Sequence, residues 1–311
     1  MKAITRIIEL FGKGIEAKAY SCRAEDGPEE YKERPVKLIL TICPVAACNA
    51  SCAFCVAAAD KSSARIDTGK LRKVLTYLKE RDVILSVNVS GGEPFTDTGL
   101  LNETVNIIYG VFGDDITLSM NTNGSRLDRL KDIEKFEQFE ALHISRHHYD
   151  DAVNDRLFGT EMPTTEQLKE AIAAVSFKDV FIFNCLLLKE GIGDAQSARK
   201  FLEYAHAIKV PKVGFISTMA VNEYTREQQV RYTDVIGNPD GRMLVTRGFA
   251  DYDRCRCTDG VYACDDGGII QFYGRETSPG TGSYVRGLVY GADNVLRTGY
   301  GESAVVLWDG D

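Results

Sequence analysis

The sequence has no apolar run long enough to span a membrane, and the charges in MKAITRIIELFGKGIEAKAY break up any signal-peptide core. It has no basic run either. The net charge is −8, which disfavours broad electrostatic binding to nucleic acid or to an anionic membrane. Internal repeats and low-complexity tracts are missing. The nine cysteines are an odd number, so a fully paired disulfide framework is excluded. Together these absences lead us to expect a cytoplasmic protein whose cysteines are metal ligands or buried thiols. What is present is a 311-residue chain, 44% apolar, enough for one large α/β domain with a small extension.

Residues 1–35 read as polar and irregular, ending at Pro35. From there strand-like and helix-like segments alternate. Strands are expected at 36–42, 83–90, 116–121, 141–145, 180–188 and 213–219. Helices are expected at 68–82, 98–112, 126–138, 164–177 (with Thr164 or Thr165 as N-cap) and 195–208. Near-continuous apolar strands separated by helices predict a parallel sheet. Six units predict a partial (β/α)6 TIM-like barrel; a doubly wound sheet has the same alternation. Either places the working face at the carboxyl ends of the strands. The expected organisation is an N-terminal segment 1–35, a core 36–221 and a small β-rich C-terminal extension 222–311. In the extension, DGVYACDDGGIIQFYG (259–274) reads as a hairpin turning at Asp-Asp-Gly-Gly, and Gly291–Asn294 as a second turn.

The residues that carry chemistry sit at the strand ends. CNASCAFC (48–55) follows the first strand and sets Cys48, Cys52 and Cys55 at C-x3-C-x2-C. Three thiolates can hold three irons of a [4Fe–4S] cube and leave the fourth open; buried thiols, or a zinc loop completed from elsewhere, are the plainer readings. The second strand ends in Gly91, Gly92, Glu93 and Pro94. A glycine pair permits close backbone approach, and a fixed carboxylate can pair with an amine.

With these residues and Phe54 before the last cysteine, residues 36–220 resemble the radical S-adenosylmethionine (SAM) superfamily, near its molybdenum-cofactor cyclase-like members. The resemblance implies that the SAM methionine moiety chelates the open iron. Reductive cleavage then gives a 5′-deoxyadenosyl radical that abstracts hydrogen from substrate. It also suggests SAM contacts at Gly91, Gly92, Glu93 and Pro94, at Ser119, Asn121 and Asn123 in SMNTNG, at Ser145 and Arg146 in HISRHHYD, and at Asn184 in FNCLLLKE, with Lys189 a weaker candidate. Arg146 has the fork geometry that suits a carboxylate. His147, His148 and Tyr149 are expected to face substrate, and Ser217, Thr218 and Met219 to line the pocket. GIGDA (191–195) is too sparse a glycine pattern to indicate nucleotide binding.

RCRCTDGVYAC carries Cys255, Cys257 and Cys264, candidate ligands of an auxiliary [4Fe–4S] cluster, although C-x-C-x6-C does not match the extended patterns of such domains. Cys257 and Cys264 are also candidate hydrogen-atom donors. Arg254, Arg256 and Arg275 are candidates for an anionic substrate group, and Cys22, Cys43 and Cys185 read as buried thiols. The expected partners are a peptide or small-molecule substrate and an electron donor such as flavodoxin or ferredoxin. The competing reading is an iron–sulfur or zinc protein without SAM chemistry, acting as an electron carrier or binding module.

Overall fold

The computed structural model describes residues 5–18, 36–56, 62–175, 178–210, 212–220, 222–231, 235, 249–251, 260–264, 269–273, 285, 287–300 and 304–310. Its core is an α/β run. β3 (Leu38–Ile42), β4 (Ile84–Val89), β5 (Thr117–Thr122), β6 (Ala141–Ser145), β7 (Phe181–Leu187) and β8 (Lys212–Ser217) are mutually parallel neighbours in chain order. The helices between them are α1 (Thr68–Glu80), α2 (Thr98–Phe112), α3 (Asp151–Phe158), α4 (Thr165–Ala173) and α5 (Ala195–Ala207). Each starts on a side chain that accepts from a first-turn N–H: Asp67, Asp97, Asp150, Thr164 in a capping box with Gln167, and Asp194. GIGDA is accounted for here, because its aspartate is the cap of α5.

The two faces of the sheet differ. Val87, Val89, Leu118, Met120, Leu142, Ile144, Phe183 and Phe215 point into the apolar core with the helices. Phe183 and Phe215, for example, pack on Phe201 of α5. Side chains alternate along a strand. The other face therefore carries Asn88, Ser119, Asn121, His143, Ser145, Asn184 and Lys212, all only half-buried. Polar residues recur at alternate positions of β4, β5 and β6, as on the inside of a partial barrel, while β7 is near-continuously apolar as expected, apart from Asn184. The barrel is open, since the sheet continues outward past both β3 and β8 and its two ends are not paired with each other.

The outer strands come from the C-terminal stretch. β9 (Phe249–Asp251), β10 (Gly260–Cys264) and β11 (Ile269–Tyr273) extend the β8 edge, with β11 parallel to β8. β12 (Gly287–Tyr290), β13 (Leu296–Arg297) and β14 (Val306–Trp308) extend the β3 edge, with β12 parallel to β3. Both expected hairpins are present, β10–β11 and β12–β13. The Asp-Asp-Gly-Gly turn itself lies outside the described residues. These strands complete the central sheet on both sides, where the sequence suggested a β-rich unit beside it.

Two local expectations fail for physical reasons. The first concerns residues 1–35, read as irregular: β1 (Thr5–Leu10) and β2 (Lys13–Lys18) form an antiparallel hairpin. Its two-residue turn, Phe11–Gly12, has positive φ at both positions, the geometry that matches strand twist. Leu10, Ile15 and Ala17 join the core, and Phe11 stacks on Tyr77 of α1 at 3.7 Å. The second concerns 126–138, expected as a helix and found as two 3₁₀ segments, Leu127–Asp132 and Phe136–Gln138. Its buried residues, Leu127, Leu130, Ile133, Phe136 and Phe139, recur every third position. Three per turn is the 3₁₀ period, and an α-helix would scatter them around its surface.

Candidate active site

All six core strands end at one edge, so the cysteine loop, the glycine pair and the polar strand ends meet there. The loop after β3 is fixed at many points. Gly92 N–H donates to Val45 O at 2.9 Å and Glu93 N–H to Ala47 O at 2.8 Å, joining the two motifs through their backbones. A Cβ on Gly92 would lie 2.0 Å from Ala47 O, and one on Gly91, whose φ is +121°, would lie 2.7 Å from Val45 O. Only glycine permits this seam. Beyond it, Ser51 N–H donates to Phe158 O at 2.7 Å, and Asn222 Nδ2 donates to Ala53 O at 2.8 Å. Asn49, which sequence reasoning overlooked, accepts from Asn123 Nδ2 and donates to Ser125 Oγ, both at 2.8 Å. Phe54 is buried edge-on against His147 at 4.9 Å.

Glu93 is fully buried, and its oxygens are engaged by the chain itself. Oε1 accepts from Thr122 Oγ1 at 2.7 Å and Phe95 N–H at 3.2 Å, and Oε2 accepts from Asn123 N–H at 2.7 Å. The carboxylate therefore ties the end of β4 to the end of β5. Burial pushes its pKa up to about 7, against the opposing pull of these donors. This differs from the expectation of a carboxylate set out for an amine.

Arg146 is 2% exposed. Its Nε donates to His148 O at 2.9 Å, Nη1 to Pro163 O at 3.2 Å, and Nη2 pairs with Asp151. All three guanidinium nitrogens are occupied, so the expectation of an open fork for a SAM carboxylate is corrected. Asp151 is held below the usual carboxylate range, against the effect of burial, by Thr165 and then Arg146.

His147, His148 and Tyr149 are packed into the fold rather than presented at a pocket. His147 stacks on Phe158 at 4.9 Å, and Nδ1 accepts from Leu186 N–H at 3.2 Å; burial and then Arg146 push it down to about 3. His148 Nδ1 accepts from Asp150 N–H at 3.0 Å, and Tyr149 packs against the core. The histidine on the inner face is His143, which sequence reasoning passed over as the middle of an apolar strand; its place between Leu142 and Ile144 was the available signal. Asn121 Nδ2 reaches Ser90 Oγ at 3.4 Å, and Ser119 Oγ donates to Asn88 Oδ1 at 3.1 Å. Ser145 and Asn184 pair in register on the same face. Ser217 lies on the helix-facing side of β8, Thr218 Oγ1 donates to Leu187 O at 2.8 Å, and Lys189 is exposed. Cys255, Cys257, Arg254, Arg256, Arg275 and Cys22 lie outside the described residues; Cys264 is described only as the end of β10, opposite Phe249.

The donor chemistry at the loop fits an iron–sulfur cube. Cys48, Cys52 and Cys55 are reduced, half-buried thiols on one immobilised turn. Among the described residues no three His, Cys, Asp or Glu side chains converge on a point that would hold a single metal ion. In a cube each of the three thiolates would cap a different iron.

Residues 42–202, just over half of the chain, match the family model for the Radical SAM superfamily. The chain belongs to the radical SAM superfamily, a family that implies a [4Fe–4S] cluster and SAM. Comparison with curated proteins gave no match. Among solved structures, Streptococcus suis SuiB bound to the precursor peptide SuiA is 19% identical, with a TM-score of 0.48, over 62% of this chain and 42% of that one. The anSMEcpe structure with AdoMet and the Cp18Cys peptide is 16% identical, TM-score 0.46, over 64% and 56%. TYW1 with a lysine–pyruvate adduct is 17% identical, TM-score 0.48, over 76% and 81%. Against SuiB the chain spans well under two thirds of the other's length. Among the described residues no helix is long and apolar enough to cross a membrane.

Proposed function

We propose that Cys48, Cys52 and Cys55 hold a [4Fe–4S] cluster and that the chain reductively cleaves SAM there, then abstracts hydrogen from a peptide or small-metabolite substrate. The observation that carries the reading is the glycine seam: the Gly91–Glu93 backbone is hydrogen-bonded to the residues just ahead of Cys48. When bound, the cluster and SAM supply the electron and the organic radical. The chain supplies position. Gly91 and Gly92 fix the loop's height above the sheet, and Glu93 locks the β4 and β5 ends together beneath it. Asn123 and Asn49 hold its flank, and Phe54 seals its underside. Ser119, Asn121, Ser145 and Asn184 remain the candidate SAM contacts, on the inner face below the loop. We assign residues 36–221 to the catalytic core and 222–311 to the extension, and we place the enzyme in a reducing cytoplasm, served by a flavodoxin- or ferredoxin-type donor. Two of the similar structures hold a bound peptide, which favours the peptide option.

The test is iron and sulfide per chain after anaerobic reconstitution, beside a Cys48→Ala/Cys52→Ala/Cys55→Ala variant. About four irons in the wild type and none in the variant is the expected result. About eight falling to about four would assign an auxiliary cluster to Cys255, Cys257 and Cys264. No iron in either protein would sink the proposal.

A further inference from the structure

The inner face of the sheet carries one row of side chains that the cysteine loop does not use. Strand register sets His143 opposite Ile182, and Ile182 opposite Lys212. His143 and Lys212 thus flank the buried Ile182, two positions below the strand end at Ser145. On the next row up β8 carries only Gly214, opposite Asn184. His143 Nδ1 is buried and has no hydrogen-bond partner among the described residues. The Asn184 side chain hydrogen-bonds the ring, and the Lys212 ammonium is near enough to repel its protonated form; burial, acting with that charge, pushes the pKa down to about 4. The imidazole is therefore neutral near pH 7, and the unpartnered nitrogen is an acceptor.

Among the described residues Lys212 has no acidic counterpart. The ion pairs among the described residues are Lys37–Asp82, Arg65–Asp97, Arg146–Asp151, Lys169–Glu166 and Arg297–Asp293. A half-buried cation on the inside of a chain of net charge −8 is thus left beside an unsatisfied buried acceptor. Unmade hydrogen bonds at buried acceptors are costly, and such sites are completed by a ligand or by water.

We infer that this row binds a substrate group in which a carboxylate lies beside an N–H or O–H donor, Lys212 pairing with the carboxylate and His143 Nδ1 accepting from the donor. A carboxyl-terminal or amino-acid-like unit has that form. Asn121, opposite His143 in register, borders the row on the side of the candidate SAM contacts. The inference rests on the radical SAM reading for its claim that this face meets substrate, and it narrows the substrate class of that same site.

The probe is N-acetylglycine, which places an amide N–H next to a carboxylate, with N-acetylglycinamide as its neutral counterpart. Each is titrated by ligand-observed NMR into anaerobically reconstituted holoprotein with SAM. The wild type is expected to prefer the acid by about tenfold or more, a charge pair's worth of binding. The preference is lost in Lys212→Ala and in Lys212→Gln and kept in Lys212→Arg, while His143→Phe weakens both probes and leaves the ratio. Equal binding of the two probes by the wild type overturns the inference, as does a preference that survives Lys212→Ala or Lys212→Gln. Tighter binding of inorganic phosphate than of N-acetylglycine also overturns it. Iron content of the same wild-type sample is read separately. Iron without a preference removes this inference alone; a preference without iron removes the radical SAM reading and leaves the carboxylate site.

Discussion

Cys185 lies on the helix-facing side of β7, fully buried, and Cys55 lies half-buried at the end of the loop after β3. Burial pushes the Cys185 thiol well above its ordinary range, and it pushes Cys43 up to about 11 although Tyr300 pulls the other way. A thiol must ionise to bind iron, and desolvation opposes that. Cys43 shows how local the distinction is. It precedes Cys48 by only five positions, yet the Gly91 backbone lies against it and closes it off. Ligand candidates and structural thiols are therefore separated by access to water and by the shape of one turn, and cysteine count alone does not distinguish them.

The largest effect is expected at the glycine seam. In Gly92→Ala the new methyl would overlap Ala47 O, so the loop must move or the strand end must bend. We expect reconstituted iron to fall from about four per chain to below one, with a stability loss of about 1–3 kcal/mol. Iron analysis and urea unfolding under anaerobic conditions check both. Normal iron loading would show that the seam does not position the cysteines.

The next largest effect is a pH dependence. The folded pKa of Glu93, about 7, lies above the unfolded carboxylate value of about 4.3. The native state therefore holds this proton more tightly. The resulting stability is complete below about pH 4.3 and is lost as pH rises through about 7, a change on the order of 3 kcal/mol. Glu93→Gln removes the titration but also sets an amide N–H₂ among donors. Wild type should exceed the variant in stability by more at pH 5 than at pH 7.5 in matched urea titrations. A gap that widens with pH would contradict the buried-acid picture.

The smallest effect sharpens the contrast from the other side. Cys185→Ala removes a buried sulfur remote from the loop and should cost about 1 kcal/mol while leaving iron content unchanged. Loss of iron in this variant would mean that the thiols buried under the helices also take part in cluster assembly.

Much of this was readable in the chain. The six parallel strands, most of the helices, the two C-terminal hairpins and the meeting of CNASCAFC with GGEP follow from periodicity and from strand-end position. What escaped was of two kinds. The period-three spacing of Leu127, Leu130, Ile133, Phe136 and Phe139 and the two-residue turn at Phe11–Gly12 were local signals read too coarsely. The occupied fork of Arg146 and the inward carboxylate of Glu93 depend on Pro163, Asp151 and Thr122, partners that no short window contains. His143 was masked by its apolar neighbours, because alternation marks a face without saying whether that face is packed or open.

The arrangement of the outer strands bears on biosynthesis. β3 and β8 are the two margins of the run formed by residues 38–217, and among the described residues both are covered by strands from residues 249–308. A nascent chain that has emerged only as far as β8 has every catalytic strand yet exposes two unpaired edges. Such edges invite pairing with other chains. A truncation before Phe249 would leave both uncovered at once, so the last strands made serve first as protection against aggregation.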